Sequence, residues 1–140
     1  MSDISVAVRS RLVNDASVTN LVSTRIYPSI LPQNVTLPAI RYETTTSRPA
    51  SKLSGGAGFA TSTVSIDIFA ASHIAAYNVQ QAVREALQDW TGTSNSTEMV
   101  SVQITNIRED YLAPVDASDV GKYRVDIDVE IIHEQTIPSH

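Results

Sequence analysis

The sequence predicts an α+β fold: a four-stranded, mainly antiparallel sheet with two helices packed on one face and long hairpin loops. Three observations predict it. Near the C-terminus, Tyr123, Val125, Ile127, Val129 and Ile131 alternate with Arg124, Asp126, Asp128 and Glu130, the period of a half-buried strand. Val79, Val83, Ala86, Leu87 and Trp90 recur at spacings of three and four, which gives a helix with one apolar stripe. The connections between such segments are rich in Gly, Pro and Ser, residues that break regular structure.

Taken in order, Ser2 and Asp3 can accept from first-turn amides and so start a helix over about residues 3–14, with Ile4, Val8 and Leu12 on one side. Asn14-Asp15 stops it, and Asp15 caps a further turn carrying Val18, Leu21 and Val22. Arg25-Ile26-Tyr27-Pro28 is a brief extended piece, and Pro28, Pro32 and Pro38 exclude a helix from the connection that follows. The first strand spans Ala39–Ser47, with Ile40, Tyr42 and Thr44 on one side and Arg41, Glu43 and Thr45 opposite. Residues 47–60 form a long glycine- and serine-bearing loop, and long loops in compact domains are often functional. A second strand covers Thr61–Ala70, with Val64, Ile66 and Ile68 on its apolar side. Ser72 caps the main helix at about 73–89, and Thr91–Thr97 is a turn-rich connector. The third strand is about 99–108, where Val100, Val102 and Ile104 alternate with polar residues. A second long loop covers 109–121, the last strand follows, and 134–140 is a frayed tail that His133 borders.

Composition narrows the class of function. The 140 residues carry 10 Lys+Arg against 15 Asp+Glu, a formal charge of −5. One domain spanning 1–140 fits that length, with about two thirds of the unfolded surface buried. The absence of cysteine removes disulfides, thiolate nucleophiles and thiolate metal sites together. Mild acidity argues against coating nucleic acid by charge alone. No apolar run approaches the ~20 residues of a membrane span, and Met1-Ser2-Asp3 does not read as a signal peptide. The expectation is a soluble, intracellular protein with no membrane partner.

Candidate chemistry is thin. Asp126, Asp128 and Glu130 share one strand face with neighbouring carboxylates about 7 Å apart, close enough to share a hard cation. Cross-strand pairing with Arg124, Arg108 and Arg41 is the stronger reading, so no metal and no cofactor is expected. His73 sits at a helix start, and no histidine has a serine or carboxylate at a spacing that makes a nucleophile relay. Gly55-Gly56-Ala57-Gly58 lacks the Lys-Ser/Thr of a phosphate loop and precedes a strand. Arg48 and Lys52 give that loop a local positive charge suited to docking. Trp90 reads as core, while Tyr27, Tyr42 and Tyr111 border loops, where tyrosine is enriched in contact surfaces. No catalytic residue is assigned.

Several segments together resemble the tail-completion, or tail-terminator, proteins of long-tailed bacteriophages. They are Leu12-Val13-Asn14-Asp15, Val18-Thr19-Asn20-Leu21-Val22, Thr24-Arg25-Ile26-Tyr27-Pro28, Leu31-Pro32-Gln33 and Leu37-Pro38-Ala39-Ile40-Arg41-Tyr42. After the glycine-bearing loop come Val64-Ser65-Ile66-Asp67-Ile68-Phe69-Ala70, the helix with Ala75, Ala76, Val79 and Val83, and the final hairpin. The Arg-Ile-Tyr-Pro and Pro-Ala-Ile-x-Tyr pieces are the most specific. The resemblance implies a virion protein, made in the host cytoplasm, that forms a ring, usually a hexamer, on the head-proximal end of the tail tube. Its implied partners are further copies of itself, the major tail tube protein and the head–tail connector or stopper protein. DNA would pass the ring without specific binding. A head-side connector or stopper is the alternative. Contact residues expected on this basis are Arg48, Lys52, Phe59, Tyr111, Arg124, Asp126, Asp128 and Glu130.

Overall fold

The computed structural model describes residues 4–49, 58–94, 97–114 and 121–135. Helices α1 (Ile4–Val13) and α2 (Ala16–Val22) lead into the short strand β1 (Ile26–Pro28) and the long strands β2 (Ala39–Pro49) and β3 (Gly58–Ala70). Helix α3 (His73–Leu87) is followed by β4 (Gly92–Ser94), β5 (Thr97–Leu112) and β6 (Lys122–Gln135). The sheet has six strands in the order β1-β2-β3-β6-β5-β4 and curls into a half-barrel.

The expected four-stranded sheet with two helices is therefore corrected: the described residues form a six-stranded mixed sheet with three helices. Each added element has a local cause. Asp15 accepts from the amides of Ser17 (2.9 Å) and Val18 (3.3 Å), so what read as one turn becomes a capped helix. The extended piece at Ile26–Pro28 pairs in parallel with Ile40–Tyr42. Within the turn-rich connector, Gly92–Ser94 pairs with Thr97–Met99 as a hairpin.

The strands also run further than their patterns showed. β2 extends through Pro49 and β3 begins at Gly58, which leaves only 50–57 of the expected 47–60 loop, outside the described residues. β5 reaches Leu112, so the expected 109–121 loop starts four residues late. His133, Glu134 and Gln135 belong to β6, and of the expected frayed tail only 136–140 falls outside the described residues.

Two β-bulges in β5, at Met99/Ser101 and Ile104/Asn106, each insert a residue and reset which side chains face inward. Met99 and Val102 are buried and Ile104 and Ile107 pack against the core, whereas Val100 is expelled to 42% exposure. The expected Val100–Val102–Ile104 alternation fails for that reason.

One hydrophobic cluster joins the inner sheet face to the helices. Ile4, Ala7, Val8 and Leu12 of α1 and Val79, Val83, Ala86 and Leu87 of α3 meet Val64, Ile66, Ile68, Ile127, Val129 and Ile131. Full burial of each branched aliphatic side chain stabilises by about 1.5–3 kcal/mol. Tyr42, one of three tyrosines read as bordering loops, is a buried member of this core. Trp90 packs partly against it, with the Arg11 guanidinium 4.4 Å from its ring centroid.

The outer edge at β5 is blunted by side chains and turns rather than by a long strand. Beyond β4, Val102 O accepts from Asp89 N (2.9 Å), Ile104 N donates to Gln88 Oε1 (2.9 Å), and Tyr111 N donates to Asp110 Oδ1 (2.9 Å).

Candidate functional site

The sheet face turned away from the helices carries most of the expected contact residues, and register explains how they meet. Arg41 of β2 lies opposite Asp67 of β3, Asp67 opposite Asp126 of β6, and Asp126 opposite Arg108 of β5. Arg41 Nε donates to Asp67 Oδ2 (2.9 Å), and its Nη2 reaches the same oxygen. Arg124 Nη2 donates to Asp126 Oδ2 (2.8 Å), with Arg108 Nη2 further off at 3.4 Å. Of the cross-strand pairing read from the sequence, only Arg108 with Asp126 forms; Arg124 reaches Asp126 along its own strand, Arg41 pairs with Asp67, and Asp128 and Glu130 pair with no arginine among the described residues.

Asp67 and Asp126 are nearly fully buried although this face is otherwise polar. Burial pushes the Asp67 carboxyl up to about 6, helped by its hydrogen bond to Asp126 and opposed by Arg41. Burial acts on Asp126 in the same upward sense. Its bonds with Asp67 and Arg124, and the Arg124 and Arg108 charges, outweigh this and hold it below the ordinary carboxylate value. Asp126 Oδ1 is buried and has no hydrogen-bond partner among the described residues. No cluster of three or more metal-ligating side chains occurs among the described residues.

At one end of the sheet, where α3 begins and the β5–β6 hairpin narrows, lies a cleft of about 360 Å³. His73, Tyr111, Tyr123, Arg124, Glu109 and Asp110 are among the residues that line it. Tyr111 packs on Tyr123 with centroids 5.0 Å apart, and Tyr123 meets His73 edge-on at 6.0 Å. A Cβ on Gly121 would lie 1.9 Å from the Tyr111 hydroxyl, so the bare glycine is what lets that ring settle there. His73 Nε2 lies 3.3 Å from Glu109 Oε1, an exposed contact that contributes little to stability.

The expected contact residues fall in three separate places. Arg48 is exposed at the far end of β2, near half-buried Phe59 of β3, and Lys52 lies outside the described residues. Arg124, Asp126, Asp128 and Glu130 share the outward face of β6, where Asp128 sits between Ser65 and Asn106, and Glu130 between Thr63 and Gln103. Tyr111 stands in the cleft, 52% exposed.

Asp67, His73, Glu109, Asp110 and Tyr123 were missed. Asp67 carried a usable signal, because laying its alternating strand antiparallel to the last one brings it opposite Asp126.

His133, expected at the border of a frayed tail, is instead buried. Its Nε2 lies 2.7 Å from Ser62 Oγ, which lies 2.9 Å from Ser47 Oγ, and its Nδ1 lies 3.0 Å from Glu134 O. A serine–histidine contact therefore exists that the sequence spacing did not show. Ser62 is 0% exposed, so it offers no path to a substrate, and the chain of bonds satisfies buried polar groups.

The fold defines a small α+β protein whose ionic and aromatic side chains engage one another across a sheet. The chain belongs to the family of tail completion protein gp17, whose profile matches residues 6–134. It is thereby a structural protein of the bacteriophage virion, assembling with other tail or head components. No curated protein matches it. A chain from a solved structure described as the virion of a native gene transfer agent (GTA) particle is similar in fold, with a TM-score of 0.67 and 21% identity. The likeness covers 94% of this chain and 95% of that one.

Proposed function

We propose that this protein caps the head-proximal end of the tail tube as a ring of identical copies, six in number. The ring stops tube polymerisation and presents the surface to which the head joins. The observation that carries this reading is the family match across residues 6–134, nearly the whole chain. The fold likeness to a chain of a phage-like virion particle supports it. The protein acts as one domain over 1–140 and by contact rather than catalysis. Ring symmetry matches that of the tube, so each copy makes the same contacts. The 47–60 and 109–121 segments meet neighbours or tube, and the outward β6 face (Arg124, Asp126, Asp128, Glu130) bears on an adjoining subunit or on the DNA channel.

Electron microscopy of tails assembled with and without the protein tests the proposal. Overlong tails in its absence are the expected result. Tails of normal length that lack heads would reject length control and leave joining alone. Protein found on DNA-filled heads rather than on tail ends would favour a stopper.

A further inference from the structure

The charged groups of the cleft beside α3 already have partners within the chain. His73 Nε2 meets Glu109 Oε1, Arg124 Nη2 donates to Asp126, and Asp110 Oδ1 accepts from Tyr111 N. What this end leaves open to solvent is apolar: Ile74 is 63% exposed, Tyr111 52% and Tyr77 44%. Tyr77 follows His73 by one turn on the same side of α3, and His73 and Tyr111 both pack on Tyr123, so these groups form one patch. The aromatic pair is seated by Gly121, so little ordering cost remains on contact. A charge brought here would lose water and find its counter-ions taken. The patch therefore suits an uncharged, apolar side chain.

The opposite edge of the sheet presents one. Ile30, just after β1, is 79% exposed, the most of any large hydrophobic side chain among the described residues. No charged residue occurs between Arg25 and Arg41. The remaining exposed apolar side chains, Val6, Val100 and Ile132, each have a charged residue within three positions: Arg9, Glu98 and Glu130. The backbone also fixes Ile30 in place. Ser29 N donates to Tyr42 O (2.9 Å) and Ile30 N to Pro28 O (2.6 Å), while Arg25 Nε holds Pro38 O (3.0 Å) where the connection returns. Pro28 and Pro32 on either side further limit the freedom lost on contact. Ile30 does not reach the cleft of its own chain. Tyr111 lies on β5, four strands beyond β1 and roughly 19 Å along the sheet.

We infer that the two edges meet between copies: Ile30 of one chain inserts into the Tyr111–Tyr123 cleft of the next. A cleft of about 360 Å³ has room for a branched aliphatic side chain. The occupant is a second copy because an uncharged apolar knob and a hollow with its charges satisfied stand at opposite edges of one sheet. Two different surfaces, each on every copy, give a head-to-tail contact that closes into a ring when its rotation permits. This contact rests on the ring reading above and supplies the joint between its copies.

The absence of cysteine makes disulfide trapping a clean test. The double variant Ile30→Cys/Ile74→Cys, mildly oxidised on capped tails and as concentrated free protein, should give a ladder of covalent oligomers that dithiothreitol collapses. Its last rung reports the ring size. One cysteine joins at most two chains, so neither single variant should pass a dimer. As a check that does not depend on oxidation, Ile30→Asp should weaken association about tenfold, by light scattering for free protein and by occupancy of tail ends. Its thermal melt as a monomer should match that of the unaltered chain, because Ile30 is exposed there. Ile30→Leu should keep the association.

Capped tails that give no ladder, and that Ile30→Asp caps as well as the unaltered protein does, would overturn this contact and leave the ring standing. Trapping to tail tube protein alone would also overturn it. Tails that the unaltered protein does not cap at all would remove the ring reading, and this contact with it. The tail micrographs decide that separately from the thiols.

Discussion

Burial, more than its neighbour Asp126, raises the Asp67 carboxyl, and the Arg41 guanidinium only partly offsets it. The consequence for stability has a definite sign. Asp67 is raised from 3.8 to about 6 on folding, so the native state binds more protons than the unfolded chain between about pH 4 and 6. Its contribution is fully present below pH 4 and is lost as pH rises through 6. Asp126 is lowered, so its contribution is present above 3.8 and is lost as pH falls below that value. Denaturant melts from pH 4 to 7 should therefore show stability falling with pH, by a few kcal/mol at most. Asp67→Asn should flatten that slope, and a slope unchanged in the variant would show that Asp67 is not its source. Gly121→Ala tests the cleft. Only the end of the Tyr111 side chain meets the new methyl, so the fold should survive within about 1 kcal/mol. Tyr111 should leave Tyr123, seen as lost ring-current shifts in NMR.

Among the elements, the pairing of β1 with β2 gives the family's most specific motifs a physical reason. Arg25 Nε donates to Pro38 O (3.0 Å), and Ile40 N donates to Arg25 O (2.9 Å), so the Arg-Ile-Tyr-Pro and Pro-Ala-Ile-x-Tyr pieces clamp each other across a ten-residue connection. Arg25→Ala should lower stability by about 1 kcal/mol by leaving the half-buried Pro38 carbonyl short of a donor, measured by urea unfolding. Asp15→Ala should cost about 1 kcal/mol through the loss of the α2 cap.

The long strands and α3 were legible because their periodicities are local. The alternation of β6 and the stripe from Val79 to Leu87 needed no partner to be seen. β1 and β4 were not legible, since three residues carry no period and a parallel partner 14 residues away leaves no local mark. The bulges in β5 were hidden for a related reason, because the register of β6 decides that Val100 faces out. At the candidate site, Arg48 and Tyr111 were legible as charged or aromatic residues beside loops. The Asp67–Asp126 pair and the His133–Ser62 contact arise only when distant strands are laid side by side.

For the molecule as a whole, the net charge of −5 repeats with every copy in the proposed ring. Self-repulsion of that kind opposes assembly at low salt. Association measured by light scattering should therefore strengthen as ionic strength rises. Association that weakens with added salt would show that attraction between opposite charges outweighs the repulsion.

The blunted β5 edge has its own consequence for such an assembly. With Gln88, Asp89 and Asp110 already occupying two of its amides and one carbonyl, and β4 covering its start, pairing of neighbouring chains backbone to backbone along that side is interrupted at several points. In the proposed ring, copies held at high local concentration are then steered away from growing into a continuous fibre. The seams between them are left to side chains. Such seams can be retuned one substitution at a time as the tube or the head changes, without disturbing the fold that carries them.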